Sequence, residues 1–120
     1  VCRQEGGVAY MADADGKMTG KPGVAFVTRG PGATNASIGV HVAMQDSQPM
    51  LLFIGDVDRG MKDREGFQEV DFGQMFGPLA KLVLRIGLDQ AAGLLGLDAE
   101  ARGPATSQAR HWGERPDIVG

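Results

Sequence analysis

Two short apolar runs divide the chain. Val24 to Val27 is rich in β-branched and aromatic residues, and Met50 to Ile54 repeats that character after Gln48-Pro49. Continuous apolar runs of this length predict strands buried on both faces, as in parallel sheets. Between them, Ile38 and Val42, with Gln45, fall at helical spacing. The intervening stretch has the length of one crossover helix, so the two runs predict a βαβ unit with a right-handed crossover. Ahead of the first run, Val8 and Met11-Ala12 give a helix a short apolar face, and Asp13-Ala14-Asp15-Gly16 with Thr19-Gly20 predict its end. Beyond the second run, Asp58 to Glu65 is charged and reads as a solvated loop. Phe72, Met75 and Phe76 predict another helix, Lys81 to Ile86 a third short strand, and Asp89 the N-cap of a further helix.

The junction after the first run carries the candidate chemistry. Gly30-Pro31-Gly32 predicts a tight turn poor in side chains, where a backbone or a ligand can approach closely. Strand, glycine turn, helix is the order that places a turn outside the carboxyl end of a strand, where ligands bind in open α/β sheets. The turn does not fit a known phosphate-binding fingerprint. Asn35 stands where a dinucleotide motif needs its last glycine, and Gly16 to Gly20-Lys21 is one residue short of a Walker loop and precedes the strand. A purely structural connection therefore stands beside the ligand-binding reading.

Composition narrows the classes. The 120 residues suit one small domain, and 42% apolar residues are enough for a core. A net charge of -3 without a basic block argues against a nucleic-acid partner. No run approaches the ~20 apolar residues of a membrane span, and no signal segment opens the chain. Cys2 is the one cysteine, so no internal disulfide forms. That suits a cytoplasmic, reducing setting. His41 and His111 have no companions at ligand spacing, so no metal site is expected. Val1 runs straight into a probable helix, which reads as the middle of a larger protein.

Several ordered motifs then coincide. Arg3-Gln4-Glu5-Gly6-Gly7, Met11-Ala12-Asp13 and Thr19-Gly20-Lys21-Pro22-Gly23-Val24 lead. Gly30-Pro31-Gly32-Ala33-Thr34-Asn35, Gln45-Asp46-Ser47, Pro49, Gly55, Phe67-Gln68-Glu69 and Lys81 follow. Over residues 3 to 86 this resembles the thiamine-diphosphate enzymes of the acetolactate synthase-like group, with their relatives among 2-oxo acid decarboxylases and carboligases. The resemblance implies an α/β fold: part of a doubly wound parallel sheet with helices on both faces, the pyrimidine-binding domain, over residues 1–92. It implies that Glu5 hydrogen-bonds the pyrimidine ring nitrogen of thiamine diphosphate and is the catalytic residue. Gly30, Pro31, Gly32, Ala33 and Asn35 would pack near the cofactor, and Phe67, Gln68 and Lys81 would line the substrate channel. A carboxyl group on the ring nitrogen favours the imino tautomer, which can accept the thiazolium proton, an effect typically worth ~10²–10⁴-fold. The bland alternative for Glu5 is a first-turn acid favoured by the helix dipole.

The resemblance also sets partners and limits. The family works as a homodimer or homotetramer on a 2-oxo acid, with Mg²⁺ and the diphosphate held by a different domain of the partner subunit. The family admits FAD as a further cofactor, and these residues do not indicate it. Tyr10, Ala14-Asp15 and Asp58 depart from common family residues, and the Gly-Asp-Gly magnesium motif is absent from the sequence. Two readings follow: cofactor binding as part of a carboligase or decarboxylase, or a non-catalytic remnant without turnover of its own. Residues 93–120 depart from the family pattern in a run rich in Gly, Ala and Arg, which predicts an irregular, frame-shifted tail starting near Ala92.

Overall fold

A computed structural model describes residues 1–87 and 90. They fall into two units divided after Ala80. The first contains, in order, α1 (Glu5–Thr19), β1 (Gly23–Val27), α2 (Gly30–Gln45), β2 (Met50–Ile54), a single 3₁₀ turn at Arg59–Met61, and α3 (Phe72–Phe76). The fold is α/β, as the apolar runs predict. β1 and β2 pair in parallel with Val24 opposite Leu51 and Phe26 opposite Phe53.

The helices begin and end where local chemistry allows. Gln4 caps α1 by accepting the Gly7 N–H on Oε1 at 3.0 Å. Asp13 to Gly16 do not end this helix. It runs on to Thr19 and stops at Gly20, whose φ of 68° is the left-handed conformation that glycine adopts without steric cost. Pro31 sits in the first turn of α2, where its missing N–H and fixed φ are tolerated. Gly30-Pro31-Gly32 is therefore the start of a helix, and the reversal of the chain falls one step earlier, at Thr28-Arg29. Asp71 caps α3 through the Gln74 N–H at 3.0 Å.

α1 and α2 lie parallel and nearly in register. They touch at Glu5–Asn35, 30 residues apart, and at Lys17–Asp46, 29 apart, with Ala9 against Gly39 between. The buried residues are mostly small: Gly6, Ala9, Ala12 and Gly16 with Asp13 on α1, and Gly30, Gly32, Ala33, Ala36, Gly39 and Ala43 with Val40 on α2. The spacing of Ile38 and Val42 predicts the wrong buried face. Ile38 is exposed and the stripe of alanines and glycines points inward. The reason is distance: a small-residue stripe lets two backbones approach, and a Cβ on Gly39 would stand 2.8 Å from the Ala9 carbonyl carbon.

The sheet also differs from a doubly buried one. Gly23 and Ala25 are buried beneath α1, and a Cβ on Gly23 would strike the Ala12 carbonyl. The alternate residues Val24, Phe26, Leu51 and Phe53 are exposed, with the Phe26 and Phe53 rings stacked at 4.7 Å. Among the described residues, the helices cover one face and leave this one open.

In the first unit, Asp58 to Glu65 is exposed throughout, as its charge predicts. In the second, Lys81 to Ile86 is not a strand. A strand needs a paired neighbour to satisfy its backbone groups, and the described sheet ends at two strands. The predicted Asp89 cap and the expected tail at 93–120 lie outside the described residues. No helix among the described residues is long and apolar enough to cross a membrane.

Candidate functional site

Glu5, Asn35 and the start of α2 lie at one end of the layer, with the Lys17, Asp13 and Asp46 cluster at the other. β1 ends at Val27, whose carbonyl accepts the Gly55 N–H at 2.9 Å, so both strands finish together. The first turns of α1 and α2 lie at the same end, because the two helices are parallel. Glu5 is the first residue of α1, and Asn35 lies one turn into α2. Asn35 Nδ2 donates to Glu5 Oε2 at 3.1 Å. Gly32 faces the pair: a Cβ there would lie 3.6 Å from Glu5 Cγ and 3.2 Å from Thr28 Cγ2. Glu5 thus has its predicted place in the first turn of a helix and is also drawn across to a second helix.

The Glu5 carboxyl titrates below the usual glutamate value. The Asn35 hydrogen bond is the largest cause, followed by its own backbone N–H, with burial opposing weakly. It is half-buried and borders a depression of about 500 Å³ lined by Val8, Val24, Phe26 and Val27, with Thr28 and Cys2 at the margin. A carboxylate at the edge of an apolar hollow suits a flat heteroaromatic ring that presents an N–H to it, since small-molecule sites pair apolar walls with a few placed polar groups. By this test the residues present fit the pyrimidine end of the cofactor.

A second group packs on the start of α2. Arg29 has no side-chain cap to offer, and the Gly30 N–H is instead taken by the Gln68 carbonyl at 3.0 Å. Arg29 Nη1 donates to the Phe67 carbonyl at 3.2 Å. Gly30 is required here, because a Cβ would come within 2.6 Å of Val70 Cγ2 and 2.8 Å of the Gln68 oxygen. Gln68 holds a left-handed φ of 64°, and the Phe67 ring is 77% exposed. The structure therefore joins the Phe67-Gln68 pair to the Gly30 turn. Pro31 is exposed on α2, whereas Ala33 is fully buried, so Ala33 serves packing. Lys81 opens the second unit as an exposed residue in a bend.

Two contributors are not evident from residue type or spacing. Gln4 fixes the α1 start, and its signal is its place three residues before the Gly7 donor. Glu69 closes the loop before Phe67, accepting the Asp63 N–H at 2.7 Å and the Gly66 N–H at 2.9 Å. That role depends on a folded loop with left-handed residues at Asp63 and Glu65. No group of three or more His, Cys, Asp or Glu side chains among the described residues could hold a metal ion.

By fold, then, the chain is an α/β protein with Glu5, Asn35 and the start of α2 beyond the carboxyl ends of its parallel strands, the edge at which such folds bind ligands. The profile of the family described as "Thiamine pyrophosphate enzyme, N-terminal TPP binding domain" matches residues 1–75, and the chain belongs to that family. It is 37% identical over 86 residues to the acetolactate synthase of Bacillus subtilis (strain 168), covering 72% of this chain and 15% of the relative. It is 44% identical over 79 residues to the acetolactate synthase large subunit of Porphyra purpurea, covering 66% and 13%. With the catabolic acetolactate synthase of Raoultella terrigena the identity is 37% over 89 residues, covering 74% and 16%. The chain thus matches about one seventh of the length of these relatives.

Proposed function

We propose that this chain binds the aminopyrimidine end of thiamine diphosphate through Glu5, as part of an acetolactate synthase-like enzyme acting on a 2-oxo acid. The observation that carries this is the Glu5 carboxylate, held by Asn35 at the start of two parallel helices and facing an apolar hollow. When bound, the cofactor supplies the chemistry at its own thiazolium carbon. The contribution of this chain is to hold a carboxyl group on the pyrimidine nitrogen and exchange a proton with it. Val24, Phe26 and Val8 offer apolar contact to the ring, and Gly32 leaves room beside Glu5. Phe67 and Gln68, docked on the start of α2, face the substrate. The diphosphate and Mg²⁺ are held by a domain of a partner subunit, where the strong charge-assisted contacts lie.

The test replaces the corresponding segment of the Bacillus subtilis acetolactate synthase with residues 1–86 of this chain, with and without Glu5→Gln. The change keeps the shape of the side chain and removes its capacity to take up and release a proton. Cofactor affinity is expected to stay within a few fold, and deuterium exchange at the thiazolium carbon to slow by ~10²-fold or more. Equal exchange in the two chimeras refutes the role given to Glu5. A second reading, a remnant without turnover, predicts a parent chimera that neither binds the cofactor nor exchanges.

A further inference from the structure

We propose that Asn35 is the positioning residue of Glu5: it holds the carboxylate in one orientation across the α1–α2 interface. This rests on the reading of Glu5 given above. A glutamate in the first turn of a helix ordinarily keeps its side-chain rotamer freedom, and fixing it costs entropy that a partner must offset. Here the partner comes from another element. Asn35 Nδ2 reaches Glu5 Oε2 at 3.1 Å, and the backbones of both helices are pinned at this level. A Cβ on Gly6 would stand 3.3 Å from the Asn35 carbonyl oxygen, so the first turn of α1 and the second of α2 cannot slide apart without losing that fit. The Ala9–Gly39 and Lys17–Asp46 contacts keep the same register further along.

The residue type matters chemically. An amide donates without ionising, so the contact persists at every pH at which Glu5 is charged. An aspartate at the same place would repel the carboxylate, and an alanine would release it. The charged surroundings are sparse. β1 presents no titratable side chain, and α2 carries His41 further along as its one titratable residue. Cys2 shares the rim of the hollow, and Arg29 reaches the Phe67 carbonyl. None of these contributes to the lowered titration of Glu5, which follows the Asn35 bond first and its own backbone N–H second.

The experiment is an NMR titration of the full 120-residue chain without cofactor, in a Phe53→Lys background. That substitution removes apolar surface from the open sheet face and leaves the sequences of α1 and α2 unchanged. Two resonances are followed, the Glu5 side-chain carboxyl carbon and the Asn35 side-chain NH₂. The Asn35 NH₂ is expected to move with pH at the same midpoint as the Glu5 carboxyl. Asn35→Ala is expected to raise the Glu5 midpoint toward the ordinary glutamate value, and Asn35→Asp to raise it further. An Asn35 NH₂ that ignores the Glu5 titration, or a Glu5 midpoint unmoved by Asn35→Ala, overturns the proposal. If Asn35→Ala does not fold, the resonance of the unaltered Asn35 decides alone. The outcome is separable from that of the chimera, because no cofactor is present: Glu5 and Asn35 titrating together while Glu5→Gln exchanges normally would remove the relay and leave the pair.

Discussion

Gly39→Ala tests the tight helix pair on which the site is built. A methyl group on Gly39 meets the Ala9 backbone carbon at 2.8 Å and the Tyr10 nitrogen at 3.0 Å, and the Ala9 methyl more closely still. None of these is the end of a flexible side chain, so α1 and α2 must separate. Overpacking of this kind costs typically ~1–3 kcal/mol, and the upper end applies where backbone must move. Removing a helical glycine returns ~1 kcal/mol of propensity. The net expectation is a loss of about 2 kcal/mol, or ~30-fold in the folding constant. Gly7→Ala is the control, since nothing lies within 4 Å of a Cβ there. It should be neutral or stabilise by up to ~1 kcal/mol. Urea unfolding followed by circular dichroism, in the Phe53→Lys background, measures both. Separation should also draw Asn35 away from Glu5 and raise the Glu5 midpoint. A Gly39→Ala chain as stable as its parent would refute the view that backbone contact sets the helix spacing.

Other expectations follow from particular contacts. Glu69→Gln leaves one of two backbone N–H groups without its charged acceptor, so the loop should open and trypsin should cut at Arg64 several-fold faster, read by mass spectrometry over time. Lys17 bridges Asp13 and Asp46, and Asp13 first and Asp46 second hold its ammonium above the usual lysine range. That stabilisation is fully present below the ordinary lysine value of 10.5 and is lost as pH rises through the higher folded value. Lys17→Met should therefore lower the unfolding midpoint at pH 7 and lose its effect in strong alkali. The open apolar face should drive self-association at micromolar concentration. Phe53→Lys should shift the chain toward monomer in sedimentation velocity, and an unchanged distribution would exclude this face as the contact.

Much of the fold was legible in the residues. Apolar runs at Val24–Val27 and Met50–Ile54 set two parallel strands, because runs this short and rich in β-branched and aromatic residues do not suit a helix; that one face stays open among the described residues was not legible in them. Phe72, Met75 and Phe76 set a helix, whereas Gly30-Pro31-Gly32, which reads as a turn, proved to be the first turn of α2. The ordered motifs placed the chain in its family, and the family profile over residues 1–75 agrees. Tertiary structure decided the rest. Which helix face turns inward depended on how near two backbones can come, a property of pairs that hydropathy does not encode, so Ala9 and Gly39 pointed in and Ile38 out. The absence of a third strand at Lys81–Ile86 depended on a partner that a local run cannot supply. Glu5 was singled out by the family motif around it, but its bond to Asn35 existed only once parallel helices brought positions 30 residues apart within 3.1 Å. The Gln68 carbonyl on the Gly30 N–H is of the same kind: a backbone group has no signature in the sequence, and only the folded loop gives it a direction.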